Sequence, residues 1–349
     1  MNRWTDARMD ELRATTDPLA DTFVADLADS GQLPALFRFL GGHGPASPEV
    51  QGWLEAHAVT AIDLDRLRQG QAVFARYSGH AMTALLCKGL PEAYAAPKGA
   101  SHLLIAGRFA REPRDRLMET SRFLLDVMQP GSFEAGEAQR EILKVRLVHA
   151  IARRFVRAHP SWDPATGEPL NQEDMAGTLM AFGSVVLDGL GYLGVDLTSE
   201  EEADYLYVWQ VVGPLLGVQG VPADPEDGRS LMAAIRDRQH GPSPAGAILT
   251  RALLDACAEM IPGEWMDGLP AALIWHLCGA AIAGYLEVPE PGHARLLVRA
   301  LELWGRVADE AEDASGVNAR LADPLGRAWA EAVYRYGSEG RRLGYRPPG

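Results

Sequence analysis

The chain has 349 residues, of which 47% are hydrophobic and 23% charged, and a formal net charge of −14. Apolar content at that level excludes a disordered chain, and the carboxylate excess excludes the cationic footprint that nonspecific nucleic-acid binding needs. The three cysteines, Cys87, Cys257 and Cys278, lie far apart with no C-x-x-C pairing, which argues against a disulfide framework or a structural zinc site.

The amino terminus, Met1 to Asp10, is polar and carries neither an apolar signal core nor a twin arginine. No stretch of about 18 uninterrupted apolar residues occurs, so no membrane-spanning helix is expected. The expectation is a cytoplasmic protein. Asp17-Pro18 reads as a cap followed by a first-turn proline, opening a helix through Ala28. Leu36-Phe37 and Phe39-Leu40 form an apolar patch before a glycine-rich loop at 41–45. Ser47-Pro48 starts a short helix carrying Trp53 and Leu54, and Asp63 caps the next, which runs through Leu67, Val73 and Phe74. No long alternating stretch suggests a sheet, and no internal repeat is evident. The fold class expected is all-α, as one large helical domain over 1–349.

From Pro113 to Met128 the helical pattern sharpens, with Leu117, Leu124, Val127 and Met128 apolar. Arg116, Glu119 and Thr120 stand at i, i+3 and i+4 and share one face; as a plain intrahelical pair, the Arg and Glu are worth only about 0.3–0.5 kcal/mol. After Gln129-Pro130-Gly131 comes a helix from Arg140 to Arg157 with no Gly or Pro. Ile142, Val145, His149, Ala152 and Val156 recur on it at helical spacing, with Arg146, Arg153 and Arg157 along an adjacent strip. A histidine so placed is suited to ligate a metal or haem while the arginines meet an anionic group. The plainer alternative is a core histidine bonded to a carbonyl, with solvated arginines.

Asn171 caps a helix rich in small residues (Ala176, Gly177, Ala181, Gly183, Ser184), which suits close helix packing or a flat cofactor, and Gly194 is expected to end it. Thr198 to Glu201 is a capping signal for a helix with Tyr205, Trp209, Val212 and Leu216 on one face. Further helices are expected at about 227–238, 245–260, 270–285, 293–311 and 322–336. His276 lies in the apolar helix at 270–285 and reads as a core residue, the main rival to His149 as a ligand. Dinucleotide, Walker, H-E-x-x-H and G-x-S-x-G motifs are absent, and the Glu290-Pro-Gly-His293 run lies on an expected loop, so a di-iron bundle is not indicated.

Several runs, taken in order, resemble one family. They are Tyr94-Ala-Ala-Pro-Lys-Gly-Ala100, Gly107-Arg108, Arg116-Leu-Met-Glu-Thr120, Val127-Met-Gln-Pro-Gly131 and Lys144-Val-Arg-Leu-Val-His-Ala150. Asn171 to Phe182 and Trp209 to Gly217 continue the series. The pattern is similar to the latex-clearing proteins, the haem-b rubber oxygenases grouped with MpaB-like oxygenases, over roughly residues 15–220. The resemblance implies an all-helical fold around a haem pocket, with His149 as proximal iron ligand and Arg116 and Thr120 on the distal face. Arg146 and Arg153 are then the expected cofactor-binding cations. A neutral imidazole holding ferrous haem b, opposite polar donors that steady bound dioxygen, is coherent chemistry.

Two departures stand out. The lysine that some rubber oxygenases place before the distal threonine is here Glu119, which excludes a lysine-capped closed state. The catalytic glutamate expected upstream has no counterpart, because Lys98 to Leu103 holds no carboxylate. Glu119 either takes over acid–base duty or serves as a gate or ion-pair partner of Arg116. The function implied is haem-dependent oxygenation or oxidation of an apolar, unsaturated small molecule by dioxygen or peroxide, with or without a redox partner. A non-catalytic helical binder of an apolar ligand is the alternative.

Overall fold

The computed structural model describes residues 3–292, apart from 60 and 261–267, and beyond them 294, 298, 328, 330–341 and 343–346. Among the described residues there is helix and loop but no strand. The opening helices begin at their polar caps. Thr5 caps α1 (Asp6–Arg13), and Asp17 caps α2 (Pro18–Asp29), where its side chain accepts from the Ala20 amide. The apolar patch at 36–40 is itself a helix, α3 (Leu33–Leu40), which buries Leu36, Phe39 and Leu40. Ser47 caps α4 (Pro48–Ala56) and Asp63 caps α5 (Leu64–Arg76).

Between 78 and 111 the chain forms helices that its pattern conceals. They are α6 (Ser78–Ala84), a π-helical turn (Leu85–Gly89), α7 (Leu90–Tyr94), α8 (Pro97–Ala106) and the short α9 (Arg108–Arg111). Proline at 91 and 97 and a left-handed Gly107, at φ 82°, cut the apolar periodicity into pieces too short to read. The π-turn carries Lys88 inward, where its Nζ donates to Glu92 Oε1 at 2.7 Å and to the Leu277 carbonyl at 2.9 Å.

Helix α10 (Pro113–Met128) has the expected ends, and α11 (Glu137–Ala158) extends a little beyond the expected stretch at both. The next helix differs from expectation. It breaks at Gly183 (φ −93°, ψ −106°) into α12 (Gln172–Phe182) and α13 (Ser184–Tyr192). The Tyr205 hydroxyl donates to the Phe182 carbonyl at 2.9 Å, satisfying an acceptor that the break releases. By length and composition, 172–192 would suffice to cross a membrane, but 67% of it is buried inside the protein, as in a core helix.

The expected capping box at Thr198 and Glu201 opens α14 (Ser199–Leu215). It is followed by α15 (Pro225–Gln239), α16 (Pro244–Met260) and α17 (Leu269–Tyr285), the last kinked at Gly279. The helix expected at 293–311 falls almost wholly outside the described residues; of the one at 322–336, residues 330–336 are described and helical. His276 is not a core residue: it is half-buried, with Nε2 3.2 Å from the Tyr192 carbonyl. Helix α11 lies at the centre, with α2, α8, α10 and α14 packed on it. It therefore fixes where His149 points.

Candidate active site around His149

Ile142, Ala152 and Val156 of the α11 stripe are buried as core, but His149 opens onto a cavity of about 140 Å³. Residues from α7, α8, α12 and α15 close that cavity, and small ones such as Ala93, Ala96, Gly99, Gly177 and Ala181 make much of its wall. His149 Nδ1 is buried and has no hydrogen-bond partner, so the carbonyl-bonded core histidine is not what forms. Burial, reinforced by the charges of Arg153 and Arg116 and opposed by Asp17, holds the imidazole pKa down at about 3. It is therefore neutral near pH 7 with a lone pair to offer, the state a metal ligand requires.

The donor set suits one kind of metal group. Among the described residues no three His, Cys, Asp or Glu side chains come together to hold an ion by themselves. Haem carries most of its iron's donors itself and would need only one side chain to hold it, a role for which the neutral His149 imidazole is suited. The wall of Gly and Ala suits a flat face. The cavity's 140 Å³ is below the roughly 300–1,000 Å³ of ligand pockets, so a group as large as haem would have to displace flexible lining side chains such as Met175 and Met232.

The arginines beside His149 turn away from the cavity. Arg146 donates to Asp17 through Nε (2.6 Å) and Nη2 (2.9 Å), and Arg153 donates through Nε to Asp21 (2.6 Å). Asp17 caps α2 and Asp21 lies in its first turn, and neither arginine lines the cavity. These pairs clamp α2 to α11. Gly217, at φ 79°, presses on this clamp: a Cβ there would stand 2.8 Å from Arg146 Nε and collide with the Asp17 carboxylate.

On α10, Thr120 Oγ1 donates to the Arg116 carbonyl at 3.0 Å, the usual helical back-bond. Glu119 is buried and accepts from Arg116 Nη1 and from both terminal nitrogens of Arg108, at 3.1 and 2.9 Å. Of the two roles open to Glu119, the ion-pair partner is the one this arrangement displays. Arg108, from the Gly107-Arg108 run of the motif series, thus joins Arg116 in holding Glu119. Arg116, Glu119 and Thr120 do not line the cavity, although the Arg116 charge is felt at His149.

The cavity also gathers residues that the sequence did not mark. Glu92 lines it and is held by Lys88 and by a two-pronged contact from Arg236 at 2.9 and 3.0 Å. Glu173 accepts from Arg13 and Gln239, and Asp174 from Arg13 and Asn171. His102 and His240 complete the polar rim, with burial lowering the His240 pKa to about 4. The carboxylates lie on helices 80 residues apart, which no local spacing announces.

A family model described as "ER-bound oxygenase mpaB/B'/Rubber oxygenase, catalytic domain" matches residues 68–311. The rubber oxygenase of Streptomyces sp. (strain K30) is 26% identical over 266 residues, a match that spans 71% of this chain and 64% of that protein's length. The structure of latex clearing protein in the closed state superposes with a TM-score of 0.75 at 23% identity, covering 97% of this chain and 95% of the other, which establishes a shared all-helical fold. With the family model spanning well over half of its length, the chain belongs to the MpaB/rubber oxygenase catalytic-domain family.

Proposed function

We propose that this chain is a haem-b-dependent oxygenase or oxidase that takes an apolar, unsaturated small molecule into the cavity beside His149. The observation that carries the reading is a neutral imidazole with a buried, unpartnered Nδ1, on a small-residue cavity, in a chain of this family. His149 would hold the group through its free lone pair. When bound, haem supplies the redox chemistry for which dioxygen or peroxide is the oxidant. The protein's part is to exclude water with the Ala, Gly and Met lining, and to orient the alkene against it. Arg116 adds positive charge near His149 and favours the imidazole in its neutral, ligating form.

Polyisoprene is not the substrate we favour. The cavity's carboxylates Glu92, Glu173 and Asp174 are all engaged by arginine or lysine, and Lys98 to Leu103 supplies no free one. One observation favours the non-catalytic binder instead: Arg116, Glu119 and Thr120 satisfy one another rather than facing the cavity. A visible absorption spectrum of the purified protein separates the two readings. A Soret band that is lost in His149→Ala and kept in His276→Ala supports the oxygenase, and no band at all supports the binder.

A further inference from the structure

The hydrogen bonds around His102 fix its tautomer. Thr166 Oγ1 donates its single proton to the Asp163 carbonyl at 2.6 Å, so toward His102 Nε2, 2.9 Å away, it can only accept. Nε2 therefore carries a hydrogen, and in the neutral imidazole Nδ1 then presents a lone pair. That nitrogen is buried without a hydrogen-bond partner on a side chain only 2% exposed, and His102 lines the His149 cavity. Asp174 Oδ2 stands 3.9 Å from Nδ1 and is also an acceptor: Asp174 takes hydrogen bonds from Arg13 through Oδ1 and Asn171 through Oδ2.

Two acceptors thus face each other across a gap, and among the described residues no donor reaches His102 Nδ1. Gly99 leaves this corner open, since a Cβ there would approach the same carboxylate at 3.6 Å. The lining offers no lysine or arginine, and its Gln239 amide already donates to Glu173. A buried acceptor left unpaired is costly, so the cavity favours an occupant that brings a donor. A neutral hydroxyl fits better than an ammonium, because a charged head group would be desolvated among apolar walls, while Arg13 already pairs with both Glu173 and Asp174.

We propose that the substrate is an apolar alcohol, anchored by its hydroxyl donating to His102 Nδ1 beside Asp174 Oδ2, with its hydrocarbon part along the cavity's apolar Ala, Leu and Met lining. The proposal rests on the reading of this cavity as the apolar substrate site and names the head group that it selects. His102 is a positioning residue here, not a reacting one.

The test compares geraniol with geranyl methyl ether, which share a carbon skeleton and differ in the donor. Calorimetric titration of the full chain as purified is expected to give about tenfold tighter binding of geraniol, the scale of one hydrogen bond to an otherwise unpaired buried acceptor. His102→Phe should bind the two alike, and His102→Asn, whose amide oxygen replaces the acceptor, should keep part of the preference. Nitrogen-15 spectra of histidine-labelled wild type should show a neutral Nε2–H imidazole at His102 whose Nδ1 shift moves with geraniol and not with the ether; this arm needs no variant. Equal affinities in the wild type, a preference that survives in His102→Phe, or a His102 imidazolium paired with Asp174 at pH 7.5 would each overturn the anchor while leaving the apolar cavity standing. Binding of neither probe would remove the cavity reading itself, and the anchor with it.

Discussion

Asp17→Asn tests how the His149 helix is held. Asparagine caps a helix as well as aspartate does, so the start of α2 survives and the change isolates the charge. Asp17 meets Arg146 through two bonds at 2.6 and 2.9 Å, with both side chains only 7% exposed, and it lies 4.0 Å from Arg153, which is 1% exposed. Removing one partner of a buried pair costs about 3–5 kcal/mol, because the other charge stays buried. The asparagine oxygen still accepts one bond and Arg153 keeps Asp21, so the lower end, about 3 kcal/mol, is expected. Urea denaturation with an unchanged slope measures the loss. Glu11→Gln, which breaks the exposed Arg8–Glu11 pair, is the control and should cost under about 1 kcal/mol. A loss for Asp17→Asn no larger than that control would refute the clamp.

Further outcomes follow from the same contacts. Gly217→Ala should destabilise by more than about 1 kcal/mol, and less than additively with Asp17→Asn, because both disturb one ion pair; a double-mutant cycle reads the coupling. Glu119→Gln should lower the urea midpoint by leaving Arg108 and Arg116 facing each other, and should leave the haem spectrum and potential unchanged; a moved potential without a stability loss would place Glu119 at the iron. The depressed pKa of His149 means that the unfolded chain binds the proton more readily. Stability is therefore full above about pH 6.5 and is lost as pH falls toward 3, and His149→Gln should weaken that acid dependence in urea titrations. Purified protein mixed with latex should release little or no oligo-isoprenoid aldehyde or ketone, and abundant product would contradict our choice of a small substrate.

Local chemistry made much of the fold legible. Asp17-Pro18, Ser47-Pro48, Asp63, Asn171 and Thr198 each cap a helix where expected, because a cap depends on residues within one turn. Legibility failed where a distant partner decides. The break at Gly183 is supported by Tyr205 from another helix, and the π-turn at Leu85–Gly89 by a Lys88 contact to a carbonyl 189 residues away. The spacing of Arg146 and Arg153 marked them as cations near His149, but their partners are α2 carboxylates about 130 residues earlier, which no spacing on α11 reveals. His149 was legible as the odd polar residue in an apolar stripe. His102 was not, because its meaning depends on a threonine proton committed elsewhere.

The most direct test of the account is haem content, by pyridine haemochrome and by dithionite-reduced spectra with and without carbon monoxide, on wild type, His149→Ala and His276→Ala. Haem b is expected in the wild type and in His276→Ala, and protein nearly free of haem in His149→Ala. A wild type that takes up no haem, or a His149→Ala protein that keeps it in full, would contradict it.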